Sequence, residues 1–467
     1  MRREVSVREH AGTGSGGPGR GPASSSAVVS TSAAGKSAGL GARALRGAGP
    51  IAMAGLTANL ANIGVTLLVA RLLTTRGYGA YAQLIAIFFV LSMPGSALLV
   101  GVVRRITAWE RGGQAARVAG WAFRTRRRAL ALVAAWAVFA IAIRGPLADQ
   151  LGLVSPAGLS ETLVAGAFWG VLCVDRGLLQ ARHAYRSLAG NLLVEGLFRG
   201  ALTIVLVGIG FGVGGAATAV LVSVILAELH ALYTLRRKTA PGDAAEPVVE
   251  PEPEVTVAAK SRERRSLAAD VGTALAALAL LALLQNLDVV VLGREEPGNA
   301  GFYAAISVAC KALVLAAFVL AGFLLPEAAA RRHLGQHALR QLGVTLSILA
   351  APAAVLIALA FAAPHTVLSI AFGERLTAAA PAFGLLALAM TCLAATVLLS
   401  HYLLAVGRTV VVPLLVVGAL GTGILLVRAG GDPTATARAD LLSQSLVMVV
   451  AGALVLHTAF RRTASVS

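Results

Sequence analysis

Between residues 51 and 460 the chain carries about twelve apolar segments, each long enough to cross a bilayer: 51–70, 80–103, 129–146, 158–179, 188–209, 213–235, 267–292, 299–324, 341–363, 378–404, 409–427 and 440–460. A bilayer core takes roughly 20 apolar residues per helix. Lipid offers no partner to backbone amides, so a chain built from such segments must satisfy them internally as spanning helices. With 57% hydrophobic and 13% charged residues, little is left over for a water-soluble domain. The sequence therefore predicts an all-α integral membrane protein of about 12 transmembrane helices, whose function resides within the bundle.

The Lys and Arg residues concentrate in every second connection between these segments. Basic residues are retained on the cytoplasmic side, so both termini are expected there. The second connection is the clearest signal: Arg104, Arg105, Arg111 and Arg117 are followed by Arg124 and the run Arg126, Arg127 and Arg128. A net charge of +18 would suggest nucleic acid in a soluble protein. Beside helix ends it is accounted for by topology and by anionic lipid headgroups, so lipids and not nucleic acid are the expected partners. Cys173, Cys310 and Cys392 stand singly in apolar segments and read as small packing residues, with neither a disulfide framework nor a zinc site. Residues 1–49, rich in Gly, Ser, Ala and Arg, lack an early apolar signal segment, leaving the first helix as the expected insertion signal.

An acidic, proline-rich stretch, PGDAAEPVVEPEPE, followed by KSRERR, reads as a disordered cytoplasmic linker. It divides the chain into a tail at 1–49, a six-helix bundle at 50–235, the linker at 236–265, a second six-helix bundle at 266–460 and a tail at 461–467. The two halves echo one another. RGYGAYAQ, an apolar helix and GVVRR in the first half answer to NAGFYAAI, an apolar helix and LLPEAAARR in the second. Internal repeats with an even number of helices share one topology and place a substrate site between the halves.

At these residues the chain resembles the polysaccharide-exporter branch of the multidrug, oligosaccharidyl-lipid and polysaccharide (MOP) exporter superfamily. The resemblance spans roughly residues 50 to 460. It rests on LVARLLTTRGYGAYAQL with Val103, Arg104 and Arg105, on LDVVVLGREEPGNAGFYAAI with Lys311 and Pro326, and on AFGERLTAAAPAFGLLALA and LLAVGR. It implies two pseudosymmetric bundles with the MATE-like arrangement in a bacterial or archaeal plasma membrane. It also implies movement of polyprenyl-diphosphate-linked sugars to the outer leaflet for cell-surface polysaccharide assembly, alongside glycosyltransferases and a polysaccharide polymerase.

Ionisable groups at bilayer depth are costly and so point to function. Arg199, midway along the fifth segment, and Lys311, midway along the eighth, are the candidates for a substrate diphosphate, Arg as a bidentate fork and Lys as a mobile point charge. Against this, Glu195 stands four residues before Arg199 and offers it an ordinary helical ion pair. Asp288, about 10 Å above Lys311 by helical rise, is a candidate for a coupling cation or proton, or for a polar contact between helices. Glu228 and Asp270 read as residues reaching water from helix ends. Arg104 with Arg105 and Arg331 with Arg332 flank the expected cytoplasmic mouth, where they would gather an anionic substrate or simply fix topology.

Other motifs fail on context. Gly12, Gly14 and Gly17 have dinucleotide-loop spacing but no strand before them or helix after, and SAAGKS lacks the first glycine of a phosphate loop, Ser30 standing in its place. His333 and His337 lack a third ligand, and His183, His230, His401 and His457 are scattered without a nucleophile. No cofactor, metal or catalytic residue is expected. The rival readings are a multidrug or cation antiporter of the same superfamily, which calls for acidic cavity residues, and a membrane polysaccharide polymerase or ligase, which calls for more than short outer loops.

Overall fold

The computed structural model describes residues 53–55, 57–237, 257–333 and 339–463, with side chains except at 111, 257–270, 323–333 and 459–463. Every regular element among them is helical. In chain order they are α1 (Met53–Leu72), α2 (Thr75–Arg111), α3 (Ala116–Gln150), α4 (Leu159–Ala181), α5 (Tyr185–Leu206), α6 (Gly212–Arg237), α7 (Val257–Glu295), α8 (Ala300–His333), α9 (Leu339–Ala362), α10 (Pro364–Phe372), α11 (Ala380–Ala405), α12 (Val411–Arg428) and α13 (Pro433–Thr463).

Among the described residues eleven stretches are long and apolar enough to cross a membrane. The longest, Tyr185–Arg237, has 53 residues. At ~1.5 Å per residue it would extend about 80 Å against a core of about 30 Å, so it cannot be one pass. It turns between α5 and α6, where Gly210 (φ 97°) and Gly212 (φ 55°) take a backbone that side chains with a Cβ resist. The Asn191 side chain on α5 then bonds the Ala227 carbonyl on α6 at 2.6 Å. Counted this way the spans among the described residues number twelve, at the places the apolar segments predict. The chain is a multi-pass membrane protein.

Local chemistry sets the other breaks. Between α1 and α2 the chain stops at Leu73 and Thr74, and the Thr74 hydroxyl caps α2 by accepting the Gly77 amide at 3.1 Å. The arginine-rich second connection is mostly helix: α2 runs to Arg111 and α3 begins at Ala116, leaving only a short turn. α7 begins at Val257, inside the stretch read as linker, while the tail at 1–49 and residues 238–256 lie outside the described residues. One element has no counterpart among the expected spans, the short α10 in the connection from α9 to α11.

Both halves pack by one scheme. In the first, α2, α3 and α6 pack on α4, and α5 packs on α6. In the second, α8, α9 and α13 pack on α11, and α12 packs on α13. The central helices α4 and α11 are the most buried of the spans, and α3 the least. Exposed Leu132 and Val138 on α3 and Val417 on α12 suit lipid. Between helices in lipid there is no hydrophobic drive, so close approach of small residues supplies the attraction. Gly200 seats against Val65, Gly177 against Val102 and Gly418 against Val447.

The repeated motifs meet each other. Gly79 of α2 lies against Ala300 and Gly301 of α8 so closely that a Cβ on Gly79 would stand 2.6 Å from the Ala300 Cβ and 2.7 Å from the Gly301 nitrogen. At the same end Arg71 donates to the Ile370 carbonyl (2.7 Å) and Arg375 returns a bond to the Arg71 carbonyl (2.9 Å). Gln83 donates to the carbonyls of Leu151 (3.1 Å) and Val290 (3.5 Å). These contacts seal the two halves together at the end opposite the arginine-rich turn.

Candidate functional site

Each half encloses a buried ionic cluster. In the first half the source is a dipeptide on α4, Asp175–Arg176. Neighbours on a helix diverge by about 100°, so the two side chains reach different partners. Asp175 is bound by Arg126 of α3 through both carboxylate oxygens, Nε donating to Oδ2 at 2.9 Å and Nη2 to Oδ1. Glu228 of α6 stands 3.8 Å from the same Nε. On the other side, Arg176 Nε donates to Asn191 Oδ1 at 2.7 Å, and its Nη2 lies 3.9 Å from Glu195. The Trp169 ring lies 5.0 Å from the Arg176 guanidinium.

Asn191, Glu195 and Arg199 recur every four residues on α5 and share a face. Arg199 Nη1 reaches Glu195 Oε1 at 3.0 Å, so the helical pair weighed for Arg199 forms, and Glu195 is shared between two arginines. Asn191 also lies 3.3 Å from His230 Nδ1. Three guanidinium groups thus face three carboxylates: Arg126, Arg176 and Arg199 against Asp175, Glu195 and Glu228.

In the second half Asp288 of α7 is fully buried. Its Oδ1 accepts Lys311 Nζ of α8 at 3.1 Å, and its Oδ2 accepts the Ser307 hydroxyl at 3.2 Å. Ser307 and Lys311 are one turn apart, which aims both at the same carboxylate. Beside them Asp440 of α13, also fully buried, holds Gln444 Nε2 at 3.1 Å. Asp440 Oδ2, Gln444 Oε1 and Thr436 Oγ1 are buried without a hydrogen-bond partner among the described residues, three oxygens one turn apart along α13. No group of three or more His, Cys, Asp or Glu side chains arranged to hold a metal occurs among the described residues.

Several sequence expectations change. A separation of about 10 Å between Asp288 and Lys311 by helical rise left no reason to pair them, yet they pair. From the ends of α7 and α8 their levels differ by only about four residues, ~6 Å, which an extended lysine spans. Glu228 is buried, not reaching water, because Arg126 and Asp175 enclose it. Arg126, counted among the topology-setting arginines, is the main partner of Asp175. Arg104 and Arg105 are both exposed on α2, but Arg105 turns onto Trp109 and Trp121. Arg331 and Arg332 fall on α8 with side chains outside the described residues, as does the side chain of Asp270.

Sequence reasoning passed over Asp175, Arg176 and Asp440. The first two were legible as an acid–base dipeptide inside the segment 158–179. Asp440 was hidden by boundary placement: α13 begins at Pro433, so a residue that opens the segment 440–460 lies about two turns inside the helix.

In three of the pairs the acid stands behind and the base in front, while in Arg176–Glu195 both are buried, at 4% and 6%. Side-chain exposure is 16% for Arg199 against 6% for Glu195, 13% for Lys311 against 0% for Asp288, and 23% for Arg126 against 1% for Asp175.

No family model and no curated protein matches the sequence. Solved structures do. A MATE transporter in complex with MaD3S is 15% identical, with a TM-score of 0.61 over 90% of this chain and 95% of that one. An inward-facing multidrug resistance MATE family transporter of the MOP superfamily is 14% identical, with a TM-score of 0.62 over 87% and 98%. A MOP superfamily transporter from Pyrococcus furiosus, for which a reverse polarity of the binding pocket suggests a different function, is 15% identical with a TM-score of 0.58 over 90% and 95%. These neighbours are transporters, not enzymes, and the chain has their fold, a MATE-like helical bundle.

Proposed function

We propose that the protein is an exporter working by alternating access, and that its cargo is an anionic, polyprenyl-diphosphate-linked oligosaccharide moved from the inner to the outer leaflet of a bacterial or archaeal plasma membrane. The observation that carries this reading is the order of charge in the midplane pairs, base in front and acid behind. A cavity lined this way presents Arg199 and Lys311 to the cargo while Glu195 and Asp288 offset the cost of burying them. A diphosphate bridging the lobes would be held by one group from each. The polyprenyl tail needs no shielding and remains in lipid.

The sealed end, where Gly79 meets Gly301, corresponds to closure on the outer side, with the arginine-rich end and both termini cytoplasmic. Asp288 and Asp440 form the acidic element available to a coupling ion. A multidrug or cation antiporter of the same fold is the competing reading, since one of the neighbours is a multidrug resistance transporter.

The test is transport in proteoliposomes of a fluorescent polyprenyl-diphosphate oligosaccharide, read as protection from an external reagent. Arg199→Gln removes the charge without leaving an orphan carboxylate, because Glu195 keeps Arg176 beside it, as does Asp288→Asn with Lys311→Met. Loss of flipping in both, with normal insertion and stability, supports the reading. Flipping at the wild-type rate in both removes the diphosphate role. Absence of flipping by the wild type, together with efflux of organic cations, puts the antiporter in its place.

A further inference from the structure

At the arginine-rich end, α2 and α3 face one another across the turn at 112–115. Arg105 and Trp109, one turn apart on α2, oppose Arg117, Trp121 and Arg124 on one face of α3. Together with Ala116 and Gly120 they line a pocket of about 450 Å³, a size within the range that holds a small polar ligand. The two indole rings meet edge to face at 5.6 Å. The Arg105 guanidinium lies 4.8 Å from the Trp109 ring and 5.3 Å from the Trp121 ring. An arginine held on two aromatic faces keeps a fixed plane, with its N–H edge free to donate.

The other two arginines are also placed. Arg124 folds back over Gly120, where a Cβ would stand 3.4 Å from its Nη1, so the missing side chain admits the guanidinium. Arg117 donates to the Gln114 side-chain oxygen at 3.1 Å. None of the three forms an ion pair with a carboxylate among the described residues. All three are exposed to the surroundings of the pocket, unlike the half-buried Arg126 and the buried Arg176, which are answered by acids. Here three cations converge with no anion, beside two tryptophans of the kind that sit at headgroup level.

We infer that this pocket binds a phosphate group, with Arg105 as the oriented fork and Arg117 and Arg124 closing around the anion. None of the residues lining the pocket belongs to the ionic clusters, and the site does not depend on which cargo is moved. The same chemistry is carried by an anionic phospholipid headgroup and by free phosphate.

The experiment is native mass spectrometry of the full chain released from detergent with dioleoylphosphatidylglycerol, dioleoylphosphatidylcholine or inorganic phosphate. The wild type should retain one phosphatidylglycerol at least roughly ten-fold more tightly than phosphatidylcholine, as charge-assisted bonds would give. Arg105→Ala with Arg124→Ala should erase that preference. Arg127→Ala with Arg128→Ala, which removes the same charge from equally exposed positions on α3 outside the pocket, should keep it. Equal loss in both double variants, or no preference in the wild type, overturns the site. Displacement of the lipid by inorganic phosphate at equal concentration supports the phosphate site and assigns it to a soluble anion. Failure of phosphate to displace assigns it to lipid. Thermal unfolding of each variant separates loss of the pocket from loss of the fold.

Discussion

Replacing Gly79 by alanine tests whether the contact between the two repeated motifs holds the sealed end shut. The new Cβ would fall 2.6 Å from the Ala300 Cβ, 2.7 Å from the Gly301 nitrogen and 2.9 Å from the Ala300 carbonyl carbon. Comfortable carbon contacts lie at about 3.5–4.0 Å, so α2 and α8 must part by about 1 Å. Two of the three obstacles are backbone atoms, which no rotamer change relieves. Overpacking of this kind costs roughly 1–3 kcal/mol. The intrinsic gain of alanine over glycine in a helix, up to about 1 kcal/mol, applies to both conformations and cancels. The sealed arrangement should therefore lose about 5- to 150-fold in population relative to one open at that end. Spin labels at Val154 and His365, both exposed at this end, would report the change by pulsed dipolar spectroscopy after the native cysteines are replaced. The Gly79→Ala protein should gain a longer distance. Gly145→Ala, where a Cβ meets nothing within 4 Å, should not. Identical distributions in the two variants would refute the argument that this contact closes the lobes.

Three further outcomes follow from particular contacts. Lys311→Met strands the fully buried Asp288 and should cost about 3–5 kcal/mol, while adding Asp288→Asn should restore most of it; thermal unfolding in detergent decides, and equal melting of the single and double variants would deny the pair. Gly210→Ala forces a Cβ onto φ 97° and should cost about 1–2 kcal/mol, whereas Gly208→Ala, with nothing within 4 Å of its Cβ, should be neutral or better. Thr74→Ala removes the cap on the Gly77 amide and should cost about 1 kcal/mol, read as faster amide exchange in the first turn of α2 against an unchanged α8.

The spans were legible because lipid imposes a length and a polarity that few other environments share, and even the turn at 208–212 shows as a cluster of glycines. The motif pair RGYGAYAQ and NAGFYAAI was legible as a repeat, but not as a contact. That two glycines in equivalent places touch one another depends on an axis between the halves, which no single segment encodes. Arg199 and Glu195 could be paired from spacing because both lie on one helix. Asp288 with Lys311, Arg126 with Asp175, and Gln444 with the Leu284 carbonyl join different helices, and their distances are set by how the helices are staggered. Charges near segment ends were the hardest to read. Arg126 and Glu228 read as groups near helix ends and Asp440 as the opening residue of its segment, yet each lies on a helix that continues beyond that point, so depth along the helix and depth in the protein diverge.

On the proposed diphosphate cargo, the two clusters would separate stability from attraction. Counting charges alone, the first half is balanced, three bases against three acids, and the second carries one base against two acids, so no excess of positive charge would draw in a diphosphate. What a cargo meets is the nearer charge, because a pair with its acid buried and its base in front acts at short range as a cation and at long range as a weak dipole. Such a site is selective only after the cargo has entered, and it leaves long-range capture to the exposed arginines at the other end of the bundle. Removing Lys311 together with Asp288, or Arg199 alone with Glu195 left to Arg176, should therefore spare the fold and abolish short-range binding. Adding salt should slow capture and leave the midplane pairs nearly unaffected.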